Sequence, residues 1–258
     1  MLNSKLFYKF YNSIFMNDIV NEVIKLIEKT EKQKISIIDV GAHRGYFSEE
    51  IYYKLNENQK KKTLFYLIEP NKSVLSSINF TKFRVKKYSY AFDKTSSLKK
   101  IFFLNNFFSA SGSSLKGHSF KDKKYLISRL IIGNLINPFK KNKNIFRKTF
   151  VKTITLDKFC KKEKIKNISV LKIDTEGTEL DVLRGSIKTL SNIDVICSEI
   201  QDDKKKIKSK ILRINELLNK NFKLIYKKKI PIGSFFTNIT SYDFIYLNKK
   251  FKNKNLTP

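Results

Sequence analysis

Four apolar runs in this sequence give out in small or acidic residues: IIDVGAHRG (Ile37–Gly45), LFYLIEPN (Leu64–Asn71), VLKIDTEGTELDVLRG (Val170–Gly185) and VICSEI (Val195–Ile200). If each run is a buried strand of a parallel sheet, these residues gather where such sheets bind ligands, beyond the carboxyl ends of the strands. The first run ends in Gly41 and Gly45, two of only eight glycines in the chain. Their G-x-x-x-G spacing lacks the middle glycine that lets backbone approach a pyrophosphate, so a dinucleotide is disfavoured. A phosphate-free cofactor carrying an amino acid and a nucleoside, S-adenosylmethionine, would fit. Asp39 could accept from its ammonium, Gly41 would leave room against bare backbone, and the helix start after Gly45 would face its carboxylate. A purely structural turn from strand to helix would use the same glycines.

Glu69, one strand–helix unit later, is placed to take both ribose hydroxyls. The competing reading is an acid favoured by a helix N-terminus. Asn71 follows in the same turn, and a third strand ending SYAFDK would put Ala91 and Asp93 near an adenine. Asp174, Glu176 and Glu199 are carboxylates at the same edge. They could hold a substrate hydroxyl, act as a general base, or bind Mg²⁺ through oxygen, although no metal is assigned. A solvated helix start suits Glu179. His118 in a loop is a further titratable candidate.

The elements that must position these residues follow from hydrophobic spacing. Leu2, Leu6, Phe10 and Ile14, then Ile19, Val23, Leu26 and Ile27, predict one or two amphipathic helices that pack on the sheet or lie on a membrane surface. Strands are expected at 35–40, 64–68, 83–91, 99–104, 169–174, 194–200, 222–227 and 242–247. Helices are expected at 45–56, 72–79, 156–164, 178–190 and 204–219. Alternation of the two implies crossover connections and a mostly parallel sheet, with the final strand antiparallel because no helix precedes it. Residues 1–34 read as an N-terminal helical segment, and 35–258 as one domain with a basic insertion at about 105–150.

Within the 258 residues, 53 Lys and Arg face 23 Asp and Glu, a formal charge of +30. Between Lys116 and Phe150 the only acid is Asp122. This composition fits a polyanionic partner, or merely a lysine-rich coding bias. No apolar run is long enough to span a bilayer, and the N-terminus lacks the pattern of a secretory signal. A cytoplasmic location, or one peripheral to the inner membrane face, is therefore expected. Cys160 and Cys197 are too isolated for a zinc motif and read as buried thiols.

IIDVGAHRGYFS, LIEPN, GSSL (Gly112–Leu115), TLDKF and LKIDTEGTELDVLRG, in that order, resemble the FkbM family of S-adenosylmethionine-dependent methyltransferases. The likeness runs from about Ile35 to Leu247, and its most specific part is the KIDTEG segment. It implies a Rossmann-like seven-stranded class I methyltransferase fold, α/β with helices on both faces, and O-methylation of sugars, polyketides or related metabolites. By motif, Asp39, Gly41, Ala42, Gly45, Glu69 and Asn71 would bind S-adenosylmethionine. Gly112, Ser113 and Ser114 would lie near the active site, with Asp174, Glu176 and Gly177 at the reacting edge. His43 stands where the family usually has Asn. An adenine-amino methyltransferase would need Asp/Asn-Pro-Pro-aromatic where this chain has DTEG, and a cytosine C5 enzyme would need Pro-Cys. RNA 2′-O-methylation and simple polyanion binding stay open, though the second has no use for Glu69 and Asp174. A small-molecule or glycan acceptor, anionic to suit the insertion, is preferred over nucleic acid.

Overall fold

The computed structural model describes residues 17–30, 32–104, 113–114, 146–230 and 238–251. Helix α1 (Asn17–Glu28) buries Val20, Val23, Ile24, Leu26 and Ile27. Val23, Leu26 and Ile27 are on the expected stripe, while Ile19 is only partly buried and Val20 and Ile24 widen the face. Strand β1 (Ile35–Val40) is buried throughout. The single helix expected next is two: α2 (Tyr46–Lys54) and α3 (Glu57–Lys62). Asn56 restarts the helix through a reciprocal box, its side chain accepting from Gln59 N at 2.9 Å while Gln59 Oε1 accepts from Asn56 N at 3.0 Å. Strand β2 (Thr63–Ile68) and helix α4 (Lys72–Ser77) follow. The third strand, expected over 83–91, is only β3 (Val85–Tyr88). Beyond it the chain leaves the sheet, and Ala91 lies in β4 (Ala91–Phe92), whose partner is elsewhere.

Strands β5 (Leu98–Leu104), β6 (Ser113–Ser114) and β7 (Phe146–Ile154) join β4 in a second sheet ordered β4-β7-β5-β6. The strand expected over 99–104 is thus present, but its long partner β7 arises from what reads in sequence as the basic tail of the insertion. Its pattern was concealed because Phe150 points outward, 62% exposed, while the small Thr153 points in. Gly112, His118 and the cationic stretch 116–145 lie outside the described residues.

The chain continues through α5 (Leu156–Glu163), β8 (Ile168–Ile173), α6 (Glu179–Arg184), β9 (Ile193–Asp203), α7 (Ile207–Leu218), β10 (Phe222–Ile230) and β11 (Ile239–Asn248). Helix α6 ends well short of Leu190, where the spacing carries it. Gly185 presses so close to the preceding sheet that a Cβ there would sit 2.3 Å from Asp93 O. Asp157 then draws the chain aside, accepting from Lys188 N and Thr189 N at 3.1 and 2.9 Å.

The main sheet has seven strands in the order β10-β11-β9-β8-β1-β2-β3. β1 pairs in parallel with β2 and β8, β2 with β3, and β8 with β9. β11 is antiparallel to both β9 and β10, as the missing helix between β10 and β11 requires. Two apolar layers cover its faces. One packs α5, α6 and α7 onto Ile38, Val40, Leu171, Ile196 and Phe244. The other packs α1 and α2 onto Ile37, Phe65, Val170, Val195 and Ile245. Both cysteines are free and buried, and burial pushes the Cys160 thiol up to about 12. Among the described residues, no helix is long and apolar enough to cross a membrane.

Successive strands run outward from β1 in both directions, so the chain reverses between β1 and β8, and a crevice opens beyond their carboxyl ends. Gly41 closes β1 there at φ 75°, and a Cβ on it would lie 1.8 Å from the carbonyl oxygen of Asp174. Backbone, not a flexible side chain, occupies that space. Gly41→Ala should therefore cost at least about 3 kcal/mol, combining left-handed strain with a backbone collision. Denaturant unfolding of this variant at the wild-type midpoint would contradict the tight β1–β8 closure.

Candidate active site

On the face covered by α1 and α2, alternate residues point toward one layer, and at the crevice end the apolar side chains give way to charge. Asp39 of β1 lies opposite Lys172 of β8, and Glu199 of β9 lies opposite Asp243 of β11. Asp243 in turn faces Lys228 of β10, which pairs with Asp18 of α1 at 2.5 Å. A row of charges thus crosses the sheet.

Lys172 is its centre. Its Nζ lies 3.3 Å from Asp39 Oδ1 and 3.2 Å from Asp174 Oδ2, and donates to Gly41 O at 3.3 Å. Burial pulls its pKa down, but the Asp174 and Asp39 carboxylates outweigh that and hold it above the ordinary lysine value. Asp39 is fully buried, and its Oδ2 accepts from Ser48 Oγ at 2.9 Å. From the protein side Asp39 thus meets Lys172, and through Ser48 it fastens α2 to the sheet.

The glycine turn is left-handed at Gly41, His43 and Gly45, with φ of 75°, 53° and 77°. Asn and His tolerate such a φ better than most residues, so His43 keeps the turn where Asn is usual. Gly41 N and Ala42 N donate to Ile68 O at 2.9 and 3.1 Å, drawing the turn over the end of β2. A Cβ on Gly45 would meet the Phe80 ring at 2.7 Å, so both glycines are demanded by protein atoms. Glu69 lies beneath this turn. Its Oε2 accepts from His43 N at 3.0 Å and its Oε1 from Asn71 N at 2.8 Å. Burial pushes its carboxyl up to about 7 despite these two donors. Asn71 caps α4, its side chain accepting from Val74 N at 3.5 Å.

The edge beyond β8 is built from carboxylates. After β8 the chain turns through Glu176 (φ 53°) and Gly177 (φ 110°). Glu179, expected at a solvated helix start, is instead wholly buried. Its Oε1 accepts from Gly177 N at 2.7 Å, and its Oε2 pairs with Lys210 of α7. Burial is affordable because the carboxylate is both hydrogen-bonded and paired. Glu199 carries a carboxyl held well above its ordinary value, by burial first and then by Asp174, Asp243 and Glu176. Asp243, 7% exposed, is pushed up to about 7 by burial and by Asp174.

Asp39, Gly41, Ala42, Gly45, Glu69, Asn71, Asp174 and Glu176 thus lie in turns or at strand ends on one edge of the sheet. Glu199 lies instead inside β9, which runs on to Asp203 rather than ending at Ile200 because β11 continues to pair with it. It is one residue past the last pairing of β9 with β8. Ala91 and Asp93 do not extend β3 as expected. Asp93 pairs with Lys99 of the second sheet. Ser113 and Ser114 form β6, opposite Phe103 and Phe102 of β5. Sequence reasoning missed Lys172, Lys210 and Asp243. The available signal was a lone charge inside an otherwise apolar strand or helix stripe, as in ISVLKI and SYDFIYL. Among the described residues, no group of three or more His, Cys, Asp or Glu is arranged to hold a metal ion.

A seven-stranded sheet with its last strand antiparallel, a glycine turn after β1 and an acid after β2 define a class I methyltransferase. The model of the methyltransferase FkbM domain matches residues 39–224, and the chain belongs to that family. It is an S-adenosylmethionine-dependent enzyme. No curated protein matches the sequence. The solved structures similar to it include Trm5b, a precorrin methyltransferase and BpumL. Trm5b from Pyrococcus abyssi is 14% identical, with 88% of this chain and 48% of that one covered and a TM-score of 0.38; this chain spans about half its length. Precorrin-6y C5,15-methyltransferase from Geobacter metallireducens GS-15 is 10% identical, with 90% and 88% covered and a TM-score of 0.39. The plantazolicin methyltransferase BpumL in complex with SAH is 10% identical, with 94% and 89% covered and a TM-score of 0.41.

The residues present suit this cofactor at Glu69. Each of its carboxylate oxygens accepts one backbone N–H and keeps a lone pair for a hydroxyl. Glu69→Ala should weaken S-adenosylmethionine binding by about 2–3 kcal/mol, roughly 30- to 150-fold. Calorimetry returning wild-type affinity would remove Glu69 from the cofactor site. Asp243 yields a pH-dependent prediction. A carboxyl whose folded pKa is raised adds stability that is fully present below its unfolded value of about 3.9. That stability is lost as pH rises through about 7. Asp243→Asn should therefore be more stable than wild type at pH 8, on the order of 2 kcal/mol, with the gap closing toward pH 4. An equal gap at both pH values would contradict the buried, crowded carboxyl.

Proposed function

We propose that the enzyme methylates a hydroxyl oxygen of a sugar, glycan or related metabolite. The observation that carries this reading is Asp174, the member of the Asp39–Lys172–Asp174 chain that opens to the crevice, its side chain 34% exposed against 0% for Asp39. Lys172 holds its Oδ2, and among the described residues nothing engages its Oδ1. S-adenosylmethionine, when bound, supplies a methyl group on a sulfonium that is its own leaving group. The protein must place the acceptor oxygen in line and remove its proton. Asp174 Oδ1 takes that proton, and Lys172 steadies the carboxylate so that it does not turn away. Glu199, with Glu176 beside the same turn, is the second carboxylate within the site and the alternative base.

An anionic acceptor, with its charged group met by the cationic segment around residues 116–150, suits the net charge of +30. A lipid-linked glycan at the cytoplasmic membrane face would also engage the amphipathic N-terminus, whose first sixteen residues lie outside those described. The test supplies labelled cofactor to glycolipid, RNA and protein fractions separately. Label entering glycolipid supports this reading, and label entering RNA 2′-hydroxyls replaces it. Asp174→Asn should cut turnover about 10²- to 10⁴-fold with little change in cofactor affinity. Full activity in that variant would make the carboxylate structural.

A further inference from the structure

We propose that Lys210 is a positioning residue for methyl transfer, clamping the turn after β8 to the end of β9 so that Asp174, Glu176 and Glu199 keep their spacing. This rests on the reading of those carboxylates as the acceptor side of the site.

Lys210 lies on the inner face of α7 beside Ile207 and Ile214, 7% exposed. An ammonium has three donors and no acceptor. Here they go to Gly177 O at 2.9 Å, Gln201 O at 2.6 Å and Glu179 Oε2. Two of the three acceptors are backbone carbonyls, one in each of the segments that carry the carboxylates. Gln201 lies two residues beyond Glu199, and Gly177 follows Glu176 directly. Glu179 completes the clamp from below, its Oε1 accepting from Gly177 N at 2.7 Å and from Thr175 Oγ1 at 3.2 Å. Gly177 is therefore held at both its N–H and its carbonyl.

The turn needs such a hold. Glu176 at φ 53° and Gly177 at φ 110° form a left-handed pair that the local chain does not favour by itself. Stability alone is a poor reason for the arrangement, since a buried ion pair can often be exchanged for apolar groups with no net loss. What apolar groups could not do is fix the carbonyl of a turn and the carbonyl of a strand to one point. The clamp thus sets a distance across the crevice, and it does so without touching the glycine turn or Glu69.

The decisive variant is the charge-neutral double substitution Glu179→Gln with Lys210→Met, which removes the buried pair together and takes from Asp202, 16% exposed, only a 4.0 Å contact. Lys210→Arg serves beside it, retaining charge but replacing a compact three-way donor with a planar fork. Two readouts are taken on full-length protein. One is ¹³C NMR titration of the Glu199 carboxyl, identified through Glu199→Gln. Its position depends on how near Asp174, Glu176, Asp243 and Lys172 stand. The other is methyl transfer from labelled cofactor into a glycolipid extract, with cofactor affinity measured by calorimetry. Both variants should move the Glu199 titration, and turnover should fall roughly 10- to 100-fold while cofactor affinity holds. An unmoved titration with wild-type turnover overturns the clamp, as does a parallel fall in turnover and cofactor affinity, which would mark general loosening. Asp174→Asn run alongside separates the two ideas: if it stays fully active, the reading of the site fails, whatever Lys210 does.

Discussion

A single buried ammonium between two carboxylates holds the site edge together. Lys172 bridges Asp39 at the end of β1 and Asp174 at the end of β8, the two strands between which the crevice opens. It also donates to the carbonyl oxygen of Gly41, at 3.3 Å. The same glycine cannot carry a side chain because the Asp174 backbone fills the space. Covalent turn, strand register and charge therefore converge on one point. Removing Lys172 would leave the fully buried Asp39 without its cation, a loss on the order of 3–5 kcal/mol. The closure of the sheet and the orientation of the Asp174 carboxylate are thus the same interaction seen from two sides.

This explains how a chain with a net charge of +30 presents an acidic crevice. The lysines on its surface are screened over about 8 Å at physiological ionic strength and act on encounter with a partner. Asp174, Glu199 and Asp243 act over shorter distances in a less polar setting, where mutual repulsion and burial raise the carboxyls of Glu199 and Asp243. Net charge speaks to what approaches the protein, and the row across the sheet speaks to what happens after arrival.

Much of the scaffold was legible in the sequence because helix stripes and strand alternation are local. Most of the buried side of α1, the wholly buried β1 and β2, and the antiparallel last strand follow from spacing and from the missing helix. Gly41, Glu69, Asp174 and Glu199 were legible by being small or acidic where apolar runs end. Lys172 and Asp243 were not, since their meaning comes from partners on other strands: Lys172 meets a residue 133 positions away in sequence, and Asp243 one 44 away. Glu179 looked like a surface acid for the same reason, because Lys210 arrives from a later helix. Strand β7 was hidden by a Phe that points outward, and the end of α6 by the contact of Gly185 with Asp93. Local patterns name candidates; long-range register decides their partners.

The two halves of the crevice solve one problem, a buried carboxylate, by different means. At Glu69 the compensation is backbone: two N–H groups of adjoining turns, present whatever side chains those turns carry. At Asp174 and Glu179 it is side-chain ammonium, from Lys172 and Lys210. Backbone donors survive substitution of their own residue, since the N–H that His43 gives to Glu69 belongs to any residue but proline. Ammonium donors do not survive substitution, but they reach across strands and set distances between loops. The carboxylate held by backbone therefore keeps its partners when neighbouring side chains are exchanged, whereas the one held by an ammonium is sensitive to a single substitution.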